Sequence, residues 1–337
     1  MTKLSVIAVA ALALAACTEE RNIAPAGPWL TEITASHAST RSALEIPEEE
    51  AHIYNVLWDV PDFILVGYAG STPAVFKSKN ETPATEATFA GLLPSGSGDI
   101  CAIYPAEDGN TVEADGTYKI IVHTVQTAVE YSFDPISFPA IAQSESKNLS
   151  FMNVFGLLEF TVGYEDVTSI YFDTRMTGIG IAPKTHKTAE PLVMSVQLMD
   201  GVPKIISFDC DNATGGFILN PPKGSRCFKI DTPYYMAVHP IDAWPQGAYP
   251  TFRLSHSDGT TTEIVLGNQP TLERSKIHKV KRLFLEDTPG LVFNLEVTDW
   301  VDADENPTYT LEDVPTSPSS TSLFPAQEII PSSVTKQ

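Results

Sequence analysis

One residue near the N-terminus has the type and the surroundings that covalent lipid attachment requires. An apolar run follows Lys3 and ends in Leu14-Ala15-Ala16-Cys17. Such a run is typical of a secretory signal, because it is too short to span a bilayer as a mature helix and ends in the small residues that a signal peptidase needs. A cysteine directly after the cut is typical of a lipobox, so Cys17 is predicted to carry the lipid that anchors the chain. The alternative is an ordinary signal that happens to hold a cysteine.

The remaining cysteines and the histidines do not form a pattern that binds metal or catalyses a reaction. The sequence has four cysteines and seven histidines, with no Cys-x-x-Cys pair and no two histidines at metal-ligand spacing. Each histidine is expected to be a surface or capped residue. Cys210 and Cys227 could form a disulfide across a turn-rich stretch, and Cys101 is expected to be a small buried side chain. Nucleotide-binding, nucleophile and zinc motifs are also missing, so we predict no metal, no cofactor and no enzymatic activity.

A group of aromatic residues near turns allows two interpretations. Its members are Tyr234, Tyr235, Trp244 and Tyr249. They could form a platform that stacks on a sugar, or they could pack in a core. A glycan-binding module therefore stays open as an alternative function. Two carboxylates at glycosidase distance could also arise by folding, which leaves a hydrolase as a third hypothesis.

The charge of the chain argues against one class of partner. The formal net charge is -21 over 337 residues, so the surface should repel the phosphates of nucleic acids and of anionic lipids. No nucleic acid is expected as a partner. Acidic side chains also keep a crowded surface protein in solution, and the charge alone indicates no ligand.

The elements that must position these residues are strands. Short apolar runs rich in β-branched and aromatic residues alternate with Gly, Pro, Asp and Asn, and in Leu158–Val162 and Phe252–Leu254 the apolar residues recur at every second position. Asp258-Gly259 between two extended segments predicts a hairpin. Since no window sustains helical spacing, the predicted fold class is all-β, with two packed sandwiches. The clearest predicted strands are Ala51–Trp58, Asp62–Tyr68, Tyr118–Val125, Leu157–Val162, Val167–Phe172, Tyr234–Val238, Thr251–Ser255 and Val292–Val297.

Composition divides the chain into segments. A polar gap near Gln143–Asn148 separates two strand-rich regions, and the chain after Asp299 is first acidic and then rich in Pro, Ser and Thr, a composition that cannot easily bury a core. The predicted segments are the lipoprotein signal 1–17, an N-terminal tether 18–41, an N-terminal β-sandwich 42–147, a C-terminal β-sandwich 148–300 and an acidic arm 301–337.

The acidic arm contains large apolar side chains that suit a docking segment. These are Leu323, Phe324, Ile329 and Ile330. Pro325 and Pro331 argue against a central strand, because proline cannot donate a ladder hydrogen bond, although an edge strand can accommodate one. A disordered tail is the alternative interpretation.

Several motifs, taken in order, resemble one family. After the lipobox come Ala87-Thr-Phe-Ala-Gly-Leu-Leu-Pro94 and Ile103-Tyr-Pro105, then Asn148–Val162 with its F-x-N-x-x-G-x-L-x-F-x-V pattern, Val167–Phe172 and Thr232–Pro240. Each motif alone is only a strand with a turn, but together they cover most of residues 17–300. In this order they resemble the fimbrillin lipoproteins of Bacteroides-type bacteria, which include subunits of the type V pilus.

The resemblance implies a fold and a mode of assembly. Family members consist of two tandem transthyretin-like β-sandwich domains. They reach the outer membrane as lipoproteins, a trypsin-like protease removes an N-terminal segment after an arginine, and a strand from another subunit fills the vacated groove. Arg41 matches the expected place of that cut, which would make 18–41 a removable strand, and Arg21 is the second choice. The alternative is a basal or stand-alone lipoprotein in which Arg41 is never cut.

The resemblance also ranks the functions. The leading hypothesis is a fimbrial subunit of a surface-exposed adhesive fibre, with other fimbrial subunits as partners in a homo- or heteropolymer and with the apolar residues of the acidic arm as a donor strand. A receptor on a host or bacterial surface is a further expected partner. The glycan-binding lipoprotein and the hydrolase follow as second and third hypotheses.

Overall fold

The protein is all-β, as the alternation of apolar residues predicts. The computed structural model describes residues 30–37, 43–44, 56–177, 192–209, 214–244, 246, 249–266, 269–280, 283 and 296–299. Within these ranges there is no α-helix, and Pro135–Ser137 forms one turn of 3-10 helix. The strands are β1 (Thr31–His37), β2 (Ala43–Leu44), β3 (Val56–Leu57), β4 (Phe63–Tyr68), β5 (Ala74–Ser78), β6 (Glu86–Gly91), β7 (Ile100–Tyr104), β8 (Thr111–Val112), β9 (Tyr118–Val122), β10 (Val125–Thr127), β11 (Ala140–Ser144), β12 (Asn148–Asn153), β13 (Gly156–Phe160), β14 (Val167–Thr177), β15 (Leu192–Met199), β16 (Val202–Asp209), β17 (Thr214–Asn220), β18 (Tyr234–Val238), β19 (Thr251–His256), β20 (Thr261–Val265), β21 (Lys276–Lys279) and β22 (Glu296–Asp299).

Strands from both sides of the polar gap close one sheet into a barrel. Its order is β1-β12-β11-β7-β4-β5-β6, and β1 completes it by pairing with β6 on one side and β12 on the other. The interior is filled with apolar side chains, the largest of which are Trp58, Phe76, Phe89, Phe151 and Tyr104.

Two further sheets face each other, as in a β-sandwich. Their orders are β10-β17-β14-β19-β20 and β18-β13-β21-β22. Phe160 of β13 contacts Phe252 of β19 with ring centroids 5.6 Å apart, and Phe155 contacts Phe217 of β17 at 6.2 Å. These interdigitating rings form the centre of a second core.

A fourth sheet, ordered β16-β15-β9-β8, covers part of the outer surface of the barrel. Leu65 of β4 and Ile103 of β7 belong to the same core as Tyr118 of β9, and the Tyr118 hydroxyl donates to the carbonyl oxygen of Ala142 on β11 at 3.0 Å. All five residues of β7 are consequently buried. A strand that is covered on both faces has no polar face, so alternation disappears from its sequence.

The strand pairings cross the predicted boundary at residue 147. β12, which follows that boundary, lies in the barrel beside β1. In the other direction, β9 pairs with β15 and β10 pairs in parallel with β17. The division into two domains is therefore still a prediction, since the barrel and the sheets that contain β9 and β10 are built from both sides of residue 147.

Two tight turns have the backbone that their residues predict. Asp258-Gly259 connects β19 to β20, whose register pairs Ser255 with Thr261, so the predicted hairpin is confirmed. Asp200-Gly201 connects β15 to β16 with positive φ angles of 55° and 76°, the signature of a two-residue turn that favours glycine.

Candidate functional site: the seat of the N-terminal strand

The strand β1 is the element of the barrel that lies closest in sequence to the predicted cleavage site. It pairs antiparallel with β6, where Thr31 faces Gly91 and Ser36 faces Glu86, and parallel with β12, where Thr34 faces Asn148. We call the position between β6 and β12, with Trp58 beneath it, the β1 seat. If β1 left this seat, β6 and β12 would each present an unpaired edge.

The floor of the β1 seat is aromatic. The inward side chains of β1, Ile33 and Ala35, are fully buried. The Trp58 ring lies below them, and its Nε1 donates to the carbonyl oxygen of Ala35 at 3.2 Å. Phe89 of β6 and Phe151 of β12 meet the Trp58 ring edge-on, at centroid distances of 5.0 Å and 5.3 Å. The indole therefore touches β1 and both of its neighbours at once.

The outward side of β1 is polar and exposed. Lys79 Nζ donates to Glu32 Oε1 at 2.6 Å, with the two side chains 53% and 58% exposed. An exposed ion pair of this kind contributes about 0–1 kcal/mol and mainly favours one register. The backbone N–H of Thr34 donates to the carbonyl oxygen of Lys147 at 2.9 Å, which fixes the side of β1 that faces β12.

β1 is held by ladder hydrogen bonds on both edges and by a small number of buried side chains. Between Thr31 and Ser36, only Ile33 and Ala35 are buried. Burying an isoleucine stabilises a fold by roughly 1.5–3 kcal/mol, and an alanine contributes less. The ladder hydrogen bonds can be made by any residue except proline. The identity of β1 is therefore specified mainly at its two inward positions, Ile33 and Ala35.

Most of the predicted site residues lie outside the described residues. They are Cys17, Arg41, Cys210, Leu323, Phe324, Ile329 and Ile330. Lipidation, cleavage and donor-strand pairing accordingly stay predictions. Cys227 is partly buried and has a free thiol in this structure, and its pairing with Cys210 stays a prediction as well. Cys101 is buried as expected, and burial raises the pKa of its thiol.

The two central tyrosines do not form the aromatic platform that was the alternative to core packing. Tyr234 and Tyr235 lie in the core with 0% and 3% of their surface exposed. Trp244 packs against the core and donates through Nε1 to the carbonyl oxygen of Pro270. Tyr249 is exposed, but one ring does not make a platform. Core packing is the interpretation that the structure supports.

A hydrogen-bonded trio of residues could not be predicted from the sequence, because Asp166 is far from the other two members in the chain. His256 Nδ1 lies 2.8 Å from Asp166 Oδ1, and His256 Nε2 lies 2.8 Å from Thr262 Oγ1. An acid, an imidazole and a hydroxyl in this order also occur in nucleophilic triads. Here the His256 side chain is only 7% exposed, and Tyr164 meets its ring edge-on at 5.2 Å. We interpret the trio as a clasp that fastens the β19–β20 hairpin to the start of β14.

His239 contradicts the expectation that every histidine lies at the surface or is capped. Its side chain is buried, and neither ring nitrogen has a hydrogen-bond partner among the residues that the structure describes. Phe208 and Phe217 pack against the ring, at centroid distances of 5.8 Å and 6.0 Å. Desolvation lowers the pKa of His239 to about 3, because an apolar environment disfavours the charged imidazolium.

Two kinds of feature are missing from the part of the chain that the structure describes. There, no three or more His, Cys, Asp and Glu residues are grouped so that they could hold a metal ion. Across the same residues, no helix has the length and apolar character needed to cross a membrane.

Known proteins resemble this chain in structure but not in sequence. No protein-family model and no curated protein sequence matches the chain. A solved candidate cell adhesion protein from Bacteroides uniformis is similar to it at 12% identity and a TM-score of 0.45, covering 81% of this chain and 99% of that chain. The tip fimbrial protein Mfa3 from Porphyromonas gingivalis, with a C-terminal truncation, is similar at 12% identity and a TM-score of 0.36, covering 80% and 99%. A candidate cell adhesion protein from Bacteroides eggerthii is similar at 11% identity and a TM-score of 0.37, covering 80% and 95%.

Proposed function

We propose that this chain is a fimbrial subunit of an adhesive fibre at the cell surface, which is exported as an outer-membrane lipoprotein through Cys17 and assembles by strand exchange. In this proposal a trypsin-like protease cuts after Arg41, β1 leaves its seat, and a strand of another fimbrial subunit replaces it. The sequence supports the proposal through the order of its motifs, which resembles the order in the fimbrillin lipoproteins.

The position of β1 is the observation that carries the proposal. β1 ends at His37, and Arg41 follows four residues later. A cut after Arg41 would therefore break the covalent connection between β1 and the rest of the barrel while leaving every ladder contact in place. No other lysine or arginine occurs between Arg41 and Lys77, so the strands β2 to β4 would survive such a protease.

Loss of β1 gives the cut chain a physical reason to bind another strand. The N–H and C=O groups of β6 and β12 that now pair with β1 would be unsatisfied, and the Trp58 floor would meet water. A strand from another subunit repairs both defects, which is the principle of β-strand addition. The lipid on Cys17 would leave together with β1, so the same cut would release the subunit from its anchor.

Limited digestion of the full mature chain tests the proposal. Cleavage at Arg41 followed by release of β1 should shift the emission of Trp58 to the red, because its floor becomes wet, and should convert the monomer into a ladder of oligomers. The Arg41→Ala variant should show neither change, whereas Arg21→Ala should behave like the parent chain. Trp58→Phe identifies the emission that belongs to the β1 seat. A cut chain that loses β1 and stays monomeric would contradict the proposal.

A further inference from the structure

An arginine just before β21 has no acid beside it. The chain has 42 Asp and Glu residues against 21 Lys and Arg residues, so its cations should find carboxylates easily. Among the residues that the structure describes, no carboxylate forms an ion pair with Arg274, although this side chain is only partly exposed. Burial lowers the pKa of Arg274, because partial removal from water disfavours the charged guanidinium. This half-buried cation therefore lacks the counter-ion that normally offsets desolvation.

The backbone on both sides of Arg274 is held in place. The Glu273 N–H donates to His278 Nε2 at 2.9 Å, and the Ser275 N–H donates to the carbonyl oxygen of Phe155 at 2.8 Å. Ser275 has a φ of 56°, in the left-handed region that a residue other than glycine occupies only where its surroundings hold it. The guanidinium is therefore carried by a rigid loop, which reduces the entropic cost of binding a ligand.

Arg274 uses only one of its three nitrogens in contacts with the described residues. Its Nη1 donates to the carbonyl oxygen of Asn153 and to Ser275 Oγ, both at 3.3 Å, which accounts for both hydrogens of that nitrogen. Nε and Nη2 have no hydrogen-bond partner in the part of the chain that the structure describes. The N–H groups along the Nε–Nη2 edge are parallel and match the two oxygens of a carboxylate.

Arg253 shows how the same edge behaves elsewhere in this molecule. Its Nε donates to Glu263 Oε2 at 3.0 Å, and its Nη2 lies 3.1 Å from Asp173 Oδ2. Both nitrogens of that edge therefore hold carboxylate oxygens. Arg274 keeps the corresponding edge for a group from outside the described fold, while its Nη1 fixes the guanidinium from the other side.

The charge of the chain narrows the kind of anion that suits this edge. A net charge of -21 repels a phosphate dianion more strongly than a singly charged carboxylate. A carboxylate is also planar, so it can accept from both nitrogens of the edge at once. We propose that Arg274 binds one carboxylate group through Nε and Nη2, supplied by a small organic acid or by an acidic side chain of another polypeptide. This site does not depend on strand exchange and goes beyond the proposed function.

The Nε–H resonance of Arg274 in the full mature chain tests the proposal directly. The isotope-labelled chain is titrated with sodium acetate, and sodium chloride at the same ionic strength serves as the reference. Acetate should move the Arg274 Nε–H signal downfield in a saturable way, toward that of Arg253, whose Nε already donates to a carboxylate. Arg274→Gln identifies the signal by removing it. The exposed Arg226 is the control, and its signal should not move.

A second titration identifies the source of the carboxylate. The probe is the peptide acetyl-Gly-Glu-Gly-amide, whose side chain carries its only charge, and acetyl-Gly-Gln-Gly-amide is the neutral control. A response to acetate alone would assign the site to small organic acids. A response to the Glu peptide, with or without one to acetate, would assign it to acidic side chains. An equal response to the Gln peptide would overturn the preference for a carboxylate.

Arg274→Lys separates the geometry of the site from its charge. Lysine keeps the positive charge and can donate to the carbonyl oxygen of Asn153, but it cannot bind a carboxylate bidentately. Acetate should raise the midpoint temperature of thermal unfolding of the parent chain relative to chloride, because it binds the folded chain. Arg226→Lys should retain this gain, and Arg274→Lys should lose it. An equal gain in Arg274→Lys would overturn the proposal, as would an Arg274 signal that responds to neither acetate nor the Glu peptide.

Discussion

Ile33→Ala is the perturbation that most directly measures how β1 is held. Ile33 is fully buried, and the other inward residue between Thr31 and Ser36 is the small Ala35. Isoleucine-to-alanine changes in a core cost about 2–5 kcal/mol, which combines lost transfer free energy with the cavity left behind. We expect the free energy of unfolding of the uncut chain to fall by about that amount.

The same change should act on the cut chain as a change in affinity. After cleavage at Arg41, β1 is bound to its seat without a covalent link. A loss of about 2–5 kcal/mol then corresponds to roughly 30-fold to several thousand-fold weaker binding of the β1 peptide. The β1 peptide of the Ile33→Ala variant should consequently leave the cut chain much faster, and Trp58 emission reports the release.

Leu30→Ala is the matched control for both measurements. Leu30 directly precedes β1 and is 66% exposed, so its truncation should change stability by no more than about 0.5 kcal/mol. Urea unfolding followed by tryptophan fluorescence measures the uncut chains, and the time course of Trp58 emission after proteolysis measures the cut ones. If Ile33→Ala and Leu30→Ala had the same free energy of unfolding and the same rate of β1 release, the view that β1 is held by burial of Ile33 on the aromatic floor would be refuted.

Three further predictions concern the second core. Gln126→Leu should lower the free energy of unfolding by about 2–4 kcal/mol. The reason is that the buried Gln126 amide donates to Ala237 O at 2.7 Å and accepts from Ala237 N at 2.9 Å. A loss no larger than that of an exposed Thr→Ala control would contradict this. His239 has a pKa of about 3 in the folded chain, against an ordinary value of 6.5. Between these pH values only the unfolded chain binds a proton at this histidine. The free energy of unfolding should therefore fall by up to about 1.4 kcal/mol for each pH unit as the pH drops from 6.5 toward 3. Urea unfolding at pH 7 and pH 4.5 should show a smaller acid loss in His239→Leu than in the parent chain, and equal losses would refute this origin. Gly156→Ala should lower the midpoint temperature of thermal unfolding, since an added Cβ would collide with the backbone oxygen of Glu273. An unchanged midpoint temperature would show that the backbone at Glu273 shifts to make room.

Local patterns predicted the strands but not their partners. The runs at 62–68, 167–172, 234–238 and 251–255 coincide with β4, β14, β18 and β19, because a short apolar run bounded by turn residues indicates a strand whether one or both of its faces are covered. Pairing between β1 and β12 leaves no such local trace, since it depends on which distant edge is free. The fully buried β7 has lost its alternation to a second covering sheet.

The candidate site was predictable only in part, because its strand has a local pattern but its partners do not. The resemblance implies a removable strand before Arg41, and β1 lies in that segment. The role of Trp58 could not be deduced, because its contacts join β1, β6 and β12, which are brought together only by closure of the barrel. Tyr234 and Tyr235 were ambiguous, since an exposed platform and a core strand contain the same residue types.

The pairings that cross residue 147 also determine how the chain can fold. Thr34 pairs with Asn148, and Val125 pairs with Ile218, so the barrel and the sheet that contains β10 are completed only by strands from both sides of residue 147. Contacts this distant must overcome loop-closure entropy before they contribute stability, which slows folding and raises its cooperativity. A chain that emerges N-terminus first must therefore keep β1 without its second neighbour until β12 has appeared. Barrel closure is therefore expected to come late in folding, because it waits for β12.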